Sequence, residues 1–475
     1  MNRRAFLRRA ALAPLGLLGA SRFLPAAAAA PEGAKPLNFV FILVDDMGWT
    51  DTSCYGSRIY ETPNVDRLAR QGMRFTDAYA ACPVCSPTRA SILTGKYPAR
   101  LHLTDWIAGH KRPFAKLAVP GWTQYLPHEE VTLAEALKPA GYASASIGKW
   151  HLGGEAYRPE TQGFDLNFGG DHRGQPPSYF WPYNIPIIRN GQAGEYMTDR
   201  LTDEALKFIE AHKDKPFFLY LTHYAVHTPL QAKKDLTAQW KEKGRPERGQ
   251  NGATYAAMIQ SVDESVGRVL ARLAELKLDD RTVVFFMSDN GGLAAVTSNA
   301  PLRAGKGTMY EGGIREPWIV KWPGVLTPGT TCHVPVSSID FYPTILEMAG
   351  AKGDPKHVPD GLSIVPLLKQ TGTLDRDALY WHYPHYHITK PCGGIRCGDL
   401  KLIEYFEDDR IELYDLKNDL SETTDLAAKM PEKAAELRKK LHDWRAAVGA
   451  QMPTPNPDHD PAKDKPGPAK KKQQA

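Results

Sequence analysis

Long apolar runs are missing from this 475-residue chain. A helix that spans a bilayer needs about 20 apolar residues, and the nearest candidate, from Ala10 to Ala20, is too short. Cysteine is scarce as well. Cys54, Cys82, Cys85, Cys332, Cys392 and Cys397 are too few to staple a chain of this length, which excludes a disulfide scaffold but permits a local bridge such as Cys392 with Cys397. No internal repeat is visible, which argues against a solenoid or propeller. A real excess of charge is also lacking: the formal net charge of +5 is matched by Arg3, Arg4, Arg8, Arg9 and Arg22, in a first 30 residues that hold no acid. The stretch from Asp458 to Ala475 adds five lysines and three aspartates, so the central region is slightly acidic. No nucleic-acid partner is indicated.

What is present is the composition of a soluble globular protein, with 42% apolar and 24% charged residues. Single cores stop growing at about 250 to 300 residues, so two lobes are expected. The basic opening, the modest apolar run and the small-residue tract from Ala26 to Ala30 read as a removable signal covering 1–30. Asn2-Arg3-Arg4-Ala5-Phe6-Leu7-Arg8 resembles a twin-arginine signal, which implies the twin-arginine export machinery as a partner and a periplasmic or extracellular location.

Four short apolar runs end in polar, chemically capable residues. Asn38 to Val44 leads into Asp45-Asp46, and Tyr142 to Gly148 into Lys149-Trp150-His151. Phe217 to Leu221 leads toward His223 and His227, and Val283 to Ser288 into Asp289-Asn290. Such runs fit strands buried on both faces of a largely parallel sheet. Their polar ends would meet at the carboxyl edge, where open α/β sheets bind ligands. Ile259, Val262, Val266, Leu270 and Leu273 recur at helical spacing within Tyr255 to Leu276. The alternation predicts an α/β sandwich over 36–370. A small C-terminal α+β subdomain is expected over 371–451, with strand-like pieces at Leu379 to Tyr386, Lys401 to Tyr405 and Ile411 to Tyr414. A helix from Pro431 would bury Leu437, Leu441, Trp444 and Val448. Residues 452–475 have little to bury and read as a disordered tail.

The most informative stretch is Cys85-Ser86-Pro87-Thr88-Arg89, continuing to Thr94-Gly95. Cys82-Pro83-Val84-Cys85 is also a C-x-x-C, but neither a second cysteine pair for zinc nor a short redox domain accompanies it. Pro87 suits a first helical turn and puts residue 85 just before a helix N-terminus, where free amides and the helix dipole favour an anion. Asp45, Asp46, Asp289 and Asn290 offer only oxygen atoms from two strand ends, which suits a hard cation, Ca²⁺ ahead of Mg²⁺. An adjacent acid pair can equally be a turn or helix cap. His223, four residues before His227, could pass for half of a metal pair, but Pro229 and the strand before it favour a peripheral, structural role.

Cys85 to Gly95 fits the pattern C-x-P-x-R-x-x-x-x-T-G, and with it the chain resembles the type I sulfatases of the alkaline phosphatase-like superfamily. The resemblance runs from about 36 to 425. It includes Gly148-Lys149-Trp150-His151, His227-Thr228-Pro229, Ser288-Asp289-Asn290-Gly291-Gly292, Lys306 before Glu311-Gly312-Gly313-Ile314-Arg315, and Leu413-Tyr414-Asp415-Leu416. It implies an alkaline phosphatase-like sandwich and conversion of Cys85 to formylglycine by a formylglycine-generating enzyme. The calcium set would be Asp45, Asp46, residue 85, Asp289 and Asn290, with Asp289 as first proton acceptor. Arg89 would orient the formylglycine hydrate, and Lys149 and Lys306 would neutralise the transferring SO₃ unit. His151 would deprotonate the second hydroxyl, and His227, together with Lys306, would serve the leaving alcohol.

The substrate is expected to be a sulfated carbohydrate or an aryl sulfate. Tyr380-Trp381-His382-Tyr383-Pro384-His385-Tyr386-His387 and Asp171-His172-Arg173 concentrate rings and polar groups; His172, Arg173, His382 and His385 are the candidate sugar contacts, against the alternative of an aromatic strand packed on the main domain. Two other functions fit the same fold: a phosphonate monoester hydrolase or phosphodiesterase, and a catalytically silent protein that binds sulfated glycans.

Overall fold

The computed structural model describes residues 36–464; the expected signal at 1–30 lies outside them. The central sheet has eight strands: β1 (Asn38–Val44), β2 (Met73–Phe75), β3 (Ala143–Gly148), β4 (Leu166–Phe168), β5 (Phe217–Thr222), β6 (Thr282–Ser288), β7 (Trp318–Lys321) and β8 (Thr330–Cys332). Their order is β8-β2-β7-β6-β1-β5-β3-β4. Only β7 runs against its neighbours. The expected α/β sandwich with a large, mostly parallel sheet is therefore the observed fold.

β1 has no residue in contact with solvent because helices cover both faces of the sheet. Val40, Ile42 and Val44 point into one apolar layer with the Ala253–Glu275 helix. Phe39, Phe41 and Leu43 point into the opposite layer, where the Phe41 ring lies 4.5 Å from that of Phe341 on the Phe341–Ala349 helix. This period-2 division explains why an uninterrupted apolar run folds as a strand. The parallel register of β6, β1, β5 and β3 delivers all four polar strand ends to one edge. At that edge Gly148 has φ +111°, and a Cβ there would run into the Thr222 carbonyl oxygen, so only glycine lets the chain turn toward Lys149.

The second layer of the molecule is an antiparallel sheet of β9 (Leu379–Tyr383), β10 (Cys392–Cys397), β11 (Leu400–Tyr405) and β12 (Ile411–Asp415) in that order. The Pro431–Val448 helix packs on it and buries Leu437, Leu441 and Val448, while Trp444 stacks on Tyr380. Two expectations need correction. Cys392 and Cys397 are free and occupy opposite ends of β10; at about 3.3 Å per residue they are far beyond the reach of a disulfide. The segment after 452 is not a loose tail as far as Asp464. Thr454–Pro455 pairs with Leu117–Ala118, the Asn456 side chain donates to the carbonyls of Pro113 and Ala115, and Arg112 binds Asp464 at 2.7 Å. These contacts are polar and main-chain, so low apolar content did not reveal them.

The two layers are tied by a buried charge cluster. Lys401 on β11 is fully enclosed and donates to Glu311 at 2.8 Å and to Glu422 at 2.9 Å. Burial drives Glu422 up to about 7, whereas Lys401 and its cationic neighbours overcome the same burial at Glu311 and hold it near 2. Replacing Lys401 with methionine leaves buried Glu422 without its cation and Glu311 with Arg315 as its remaining ion-pair partner. It is expected to cost about 3–5 kcal/mol of stability, read as a lower urea midpoint; a loss below about 1 kcal/mol, the size of a surface pair, would contradict this role.

Candidate active site

The β1 end carries Asp45 and Asp46, and the β6 end carries Asp289 and Asn290; all four are buried. Asp46 has φ +60° and His151 also has φ +60°, a conformation uncommon for residues with side chains and typical of constrained functional positions. Ligand atoms of Asp45, Cys85 and Asp289 lie within 4.8 Å of one another, as do those of Asp45, Asp46 and His227. Asn290 Nδ2 donates to Asp46 at 2.8 Å, while its Oδ1 and Asp45 Oδ1 are buried oxygens without a hydrogen-bond partner.

These two oxygens have free lone pairs at adjoining strand ends that carry three carboxylates. Burial is the main cause that raises Asp45 to about 8; Lys149 opposes it, and Asp289 and Asp46 reinforce it. A hard cation relieves that repulsion and satisfies both orphaned oxygens, so the expected calcium set fits the geometry.

Cys85 is the first residue of the Cys85–Thr94 helix, one position further in than the sequence suggests, with Pro87 in the first turn. Burial raises its thiol, although Lys149 and Lys306 pull the other way. A neutral, buried thiol is a poor nucleophile, which agrees with a precursor role.

Arg89, one helical turn on, is completely buried. Its Nε and Nη2 reach Asp289 at 2.9 and 2.8 Å, and Nη1 donates to the Lys149 carbonyl at 2.9 Å. Arg89 thus fixes the metal-site carboxylate and the backbone that carries Lys149. Lys149 Nζ lies 2.6 Å from Asp45, and Lys306 Nζ lies 2.6 Å from Asp46. Burial works against the charge on Lys306, but Asp46 more than restores it and raises the ammonium above its usual value.

The two histidines differ in their free nitrogens. His151 Nε2 meets the Ile107 carbonyl, which holds the proton on that atom and leaves Nδ1, buried and unpartnered, as the basic site. Burial, with Lys149 beside it, keeps the ring well below its usual value and therefore neutral at pH 7. His227 Nδ1 faces the Thr228 carbonyl at 2.8 Å, so Nε2, 3.5 Å from Asp46, is its free nitrogen. Burial brings His227 down to about 3 despite the Asp46 charge.

The expected nucleophile, cation and proton-transfer residues thus converge, whereas two of the expected sugar contacts, His382 and His385, do not. His382 is buried with Nε2 on the Gln451 carbonyl, and His385 is buried with Nε2 on the Thr104 hydroxyl; both are occupied in packing. Arg173 is held by Asp171, whose carbonyl accepts from the His151 amide. His172 is exposed. As read above, His223 is peripheral: it is buried, with Nε2 on Ser265. No local pattern marks the loop from Thr104 to His110, which supplies the Ile107 carbonyl to His151 and donates the Ile107 amide to Ser86 at 3.2 Å. Its partners lie 44 and 21 residues away along the chain, beyond the reach of any local pattern.

Comparison with known proteins identifies the family. The sulfatase family profile matches residues 37–351, and a profile for the C-terminal part of N-sulphoglucosamine sulphohydrolase matches 304–447. A sulfatase from Formosa agariphila is 35% identical over 86% of this chain and 88% of its own length. Human N-acetylgalactosamine-6-sulfatase is 36% identical over 73% of this chain and 68% of its own. Among solved structures, Ps i-CgsB in complex with k-i-k-neocarrahexaose superposes with a TM-score of 0.74 at 30% identity, covering 86% of this chain and 93% of that one. The chain belongs to the sulfatase family and is a sulfuric ester hydrolase.

Proposed function

We propose that this sulfatase removes sulfate from sulfated carbohydrates, with formylglycine made from Cys85 and a calcium ion held by Asp45, Asp46, Asp289 and Asn290. The observation that carries the chemistry is the pairing, in one buried pocket, of a neutral Cys85 with orphaned oxygens on Asp45 and Asn290. The carbohydrate reading is supported by a relative named N-acetylgalactosamine-6-sulfatase and by the structure of Ps i-CgsB with k-i-k-neocarrahexaose.

Hydrated formylglycine supplies two hydroxyls on one carbon, one to attack sulfur and one whose deprotonation lets the bound sulfate leave. A bound Ca²⁺, held by Asp45, Asp46, Asp289 and Asn290, would supply positive charge to the sulfate and lower the pKa of a hydroxyl at residue 85. The chain does the rest. Lys149 and Lys306 flank the carboxylates from two sides, and their charges compensate the negative oxygens of the transferring group. Arg89 keeps Asp289 in place, within 4.8 Å of Cys85, where it accepts a proton from residue 85. His151 accepts the proton of the second hydroxyl at Nδ1. An arriving sulfate ester adds negative charge beside the His227 ring and raises its hold on a proton, and the protonated ring then gives its Nε2 proton to the leaving oxygen as the sulfur–oxygen bond breaks.

We further place the enzyme outside the cytoplasm by way of the twin-arginine route, after maturation by a formylglycine-generating enzyme. A panel of sulfated monosaccharides, 4-nitrophenyl sulfate, an aryl phosphonate monoester and a phosphodiester tests the reaction assignment. Sulfate release is expected to exceed phosphoester or phosphonate turnover by at least about 10-fold in kcat/KM, a difference of about 1.4 kcal/mol in barrier. The reverse order would make the chain a phosphonate or phosphodiester hydrolase, and tight retention of a sulfated glycan with no release from any ester would make it a binding protein.

A further inference from the structure

One pair of imidazoles beside the reaction centre takes no part in the mechanism above. His387 follows the buried run of β9 and leans on Gly307, the residue after Lys306, so closely that a Cβ at Gly307 would collide with His387 Nδ1. That nitrogen is buried and has no hydrogen-bond partner. The His387 ring meets the ring of exposed His110 edge to face, with centroids 4.6 Å apart at 70°. His110 ends the loop that starts at Thr104, whose Ile107 carbonyl touches His151. The pair therefore bridges two walls of the pocket, one carrying Lys306 and the other supporting His151.

The loop is fixed from below by the C-terminal sheet. Tyr383 donates to Asp105 at 2.6 Å, and His385 holds Thr104 at 2.8 Å. Trp106 Nε1 donates to His110 Nδ1 at 3.3 Å. In the neutral ring this places the proton on Nε2 and points a donor outward. Burial lowers His387 to about 3, with His110 and Lys306 acting in the same direction, and burial with Arg112 lowers His110. Both rings are therefore neutral at pH 7, suited to hydroxyl groups rather than to a second anion.

We propose that His110 and His387 form a subsite that hydrogen-bonds hydroxyl groups of the sugar ring whose sulfate is removed. Contact with Gly307 keeps the subsite within one residue of Lys306, too near the reaction centre for a distant sugar of a polymer. The half-buried Trp106 ring, 5.1 Å from His110, offers an apolar surface for the C–H face of the same ring. This inference rests on the carbohydrate reading above.

The test compares wild type, His387→Ala, His110→Ala and the gentler His387→Gln and His110→Gln on 4-nitrophenyl sulfate and on a panel of sulfated monosaccharides. The aryl ester has no hydroxyls to lose and reports whether each variant is folded and matured. The alanine variants are expected to lose about 10- to 100-fold in kcat/KM on the sugar, mainly through KM, with aryl sulfate turnover within about threefold of wild type and partial rescue by glutamine. An equal loss on both substrates in the alanine and glutamine variants would overturn the subsite, as would no loss on either. If wild type hydrolyses the aryl ester but none of the sugars, the carbohydrate reading fails and the subsite falls with it. Normal sugar turnover by wild type with unselective losses in the variants removes the subsite alone.

Discussion

Replacing Cys85 with alanine is expected to reduce sulfate release by about 10⁴-fold or more, the scale on which enzymes lose turnover when the attacking group is removed. The fold should survive. Cys85 is buried at the start of a helix, alanine is the best helix former, and the change removes one sulfur atom rather than a large packing group. The same logic predicts that protein made without a formylglycine-generating enzyme is as inactive as the variant although it keeps the thiol, because burial holds that thiol neutral. Mass analysis of the peptide containing residue 85 should find the aldehyde in active protein and the thiol in inactive protein. Fully active protein carrying only cysteine, or an alanine variant within tenfold of wild type, would defeat the assignment.

The strand ends were legible because burial on both sheet faces leaves a specific trace. Asn38 to Val44 cannot alternate with polar residues when Val40 and Phe41 face two different apolar layers, so its first charged groups had to fall past the strand, at Asp45-Asp46. Four such runs and one sheet edge then bring the carboxylates, Lys149 and the two histidines together, and the Cys85–Thr94 helix and the loop bearing Lys306 join them there. The C-terminal sheet was read less completely. Strand β10, Cys-Gly-Gly-Ile-Arg-Cys, carries two glycines that weaken any strand signal. The structure gives one of them a reason: the Arg445 guanidinium lies where a Cβ of Gly393 would be. That approach involves residues 52 positions apart in the chain, and a local pattern does not encode it. The aromatic run from Tyr380 to His387 shows the same limit. Its composition suggested sugar contacts at His382 and His385, but strand alternation and the turn after Tyr383 face those two rings inward and leave His387 at the pocket.

Exhaustive chelation is expected to silence the enzyme, and added calcium should restore it; Asp45→Asn should be silent with or without calcium. Asp45 is the residue on which the pocket's charge balance turns. Its Oδ2 binds Lys149 at 2.6 Å, its Oδ1 is unpartnered, and Arg89 lies 3.9 Å away. Three carboxylates (Asp45, Asp46, Asp289) face three cations (Arg89, Lys149, Lys306) in this site. An added cation therefore makes the pocket positive as an anionic ester arrives, and removing one carboxylate weakens the hold on that cation. The variant should lose more than the roughly 10- to 100-fold in metal affinity that follows loss of a residue merely supporting a ligand. Thermal unfolding gives a readout independent of turnover. At a calcium concentration 100 times its dissociation constant, wild type should gain about 2.7 kcal/mol and unfold at a higher temperature, while Asp45→Asn at the same concentration should gain little. Magnesium, which gives up its water reluctantly and demands a stricter octahedron, should stabilise less at equal concentration. Full activity after chelation, or an Asp45→Asn protein that calcium stabilises as much as wild type, would remove the ion from this reaction scheme and leave the three cations to balance the carboxylates alone.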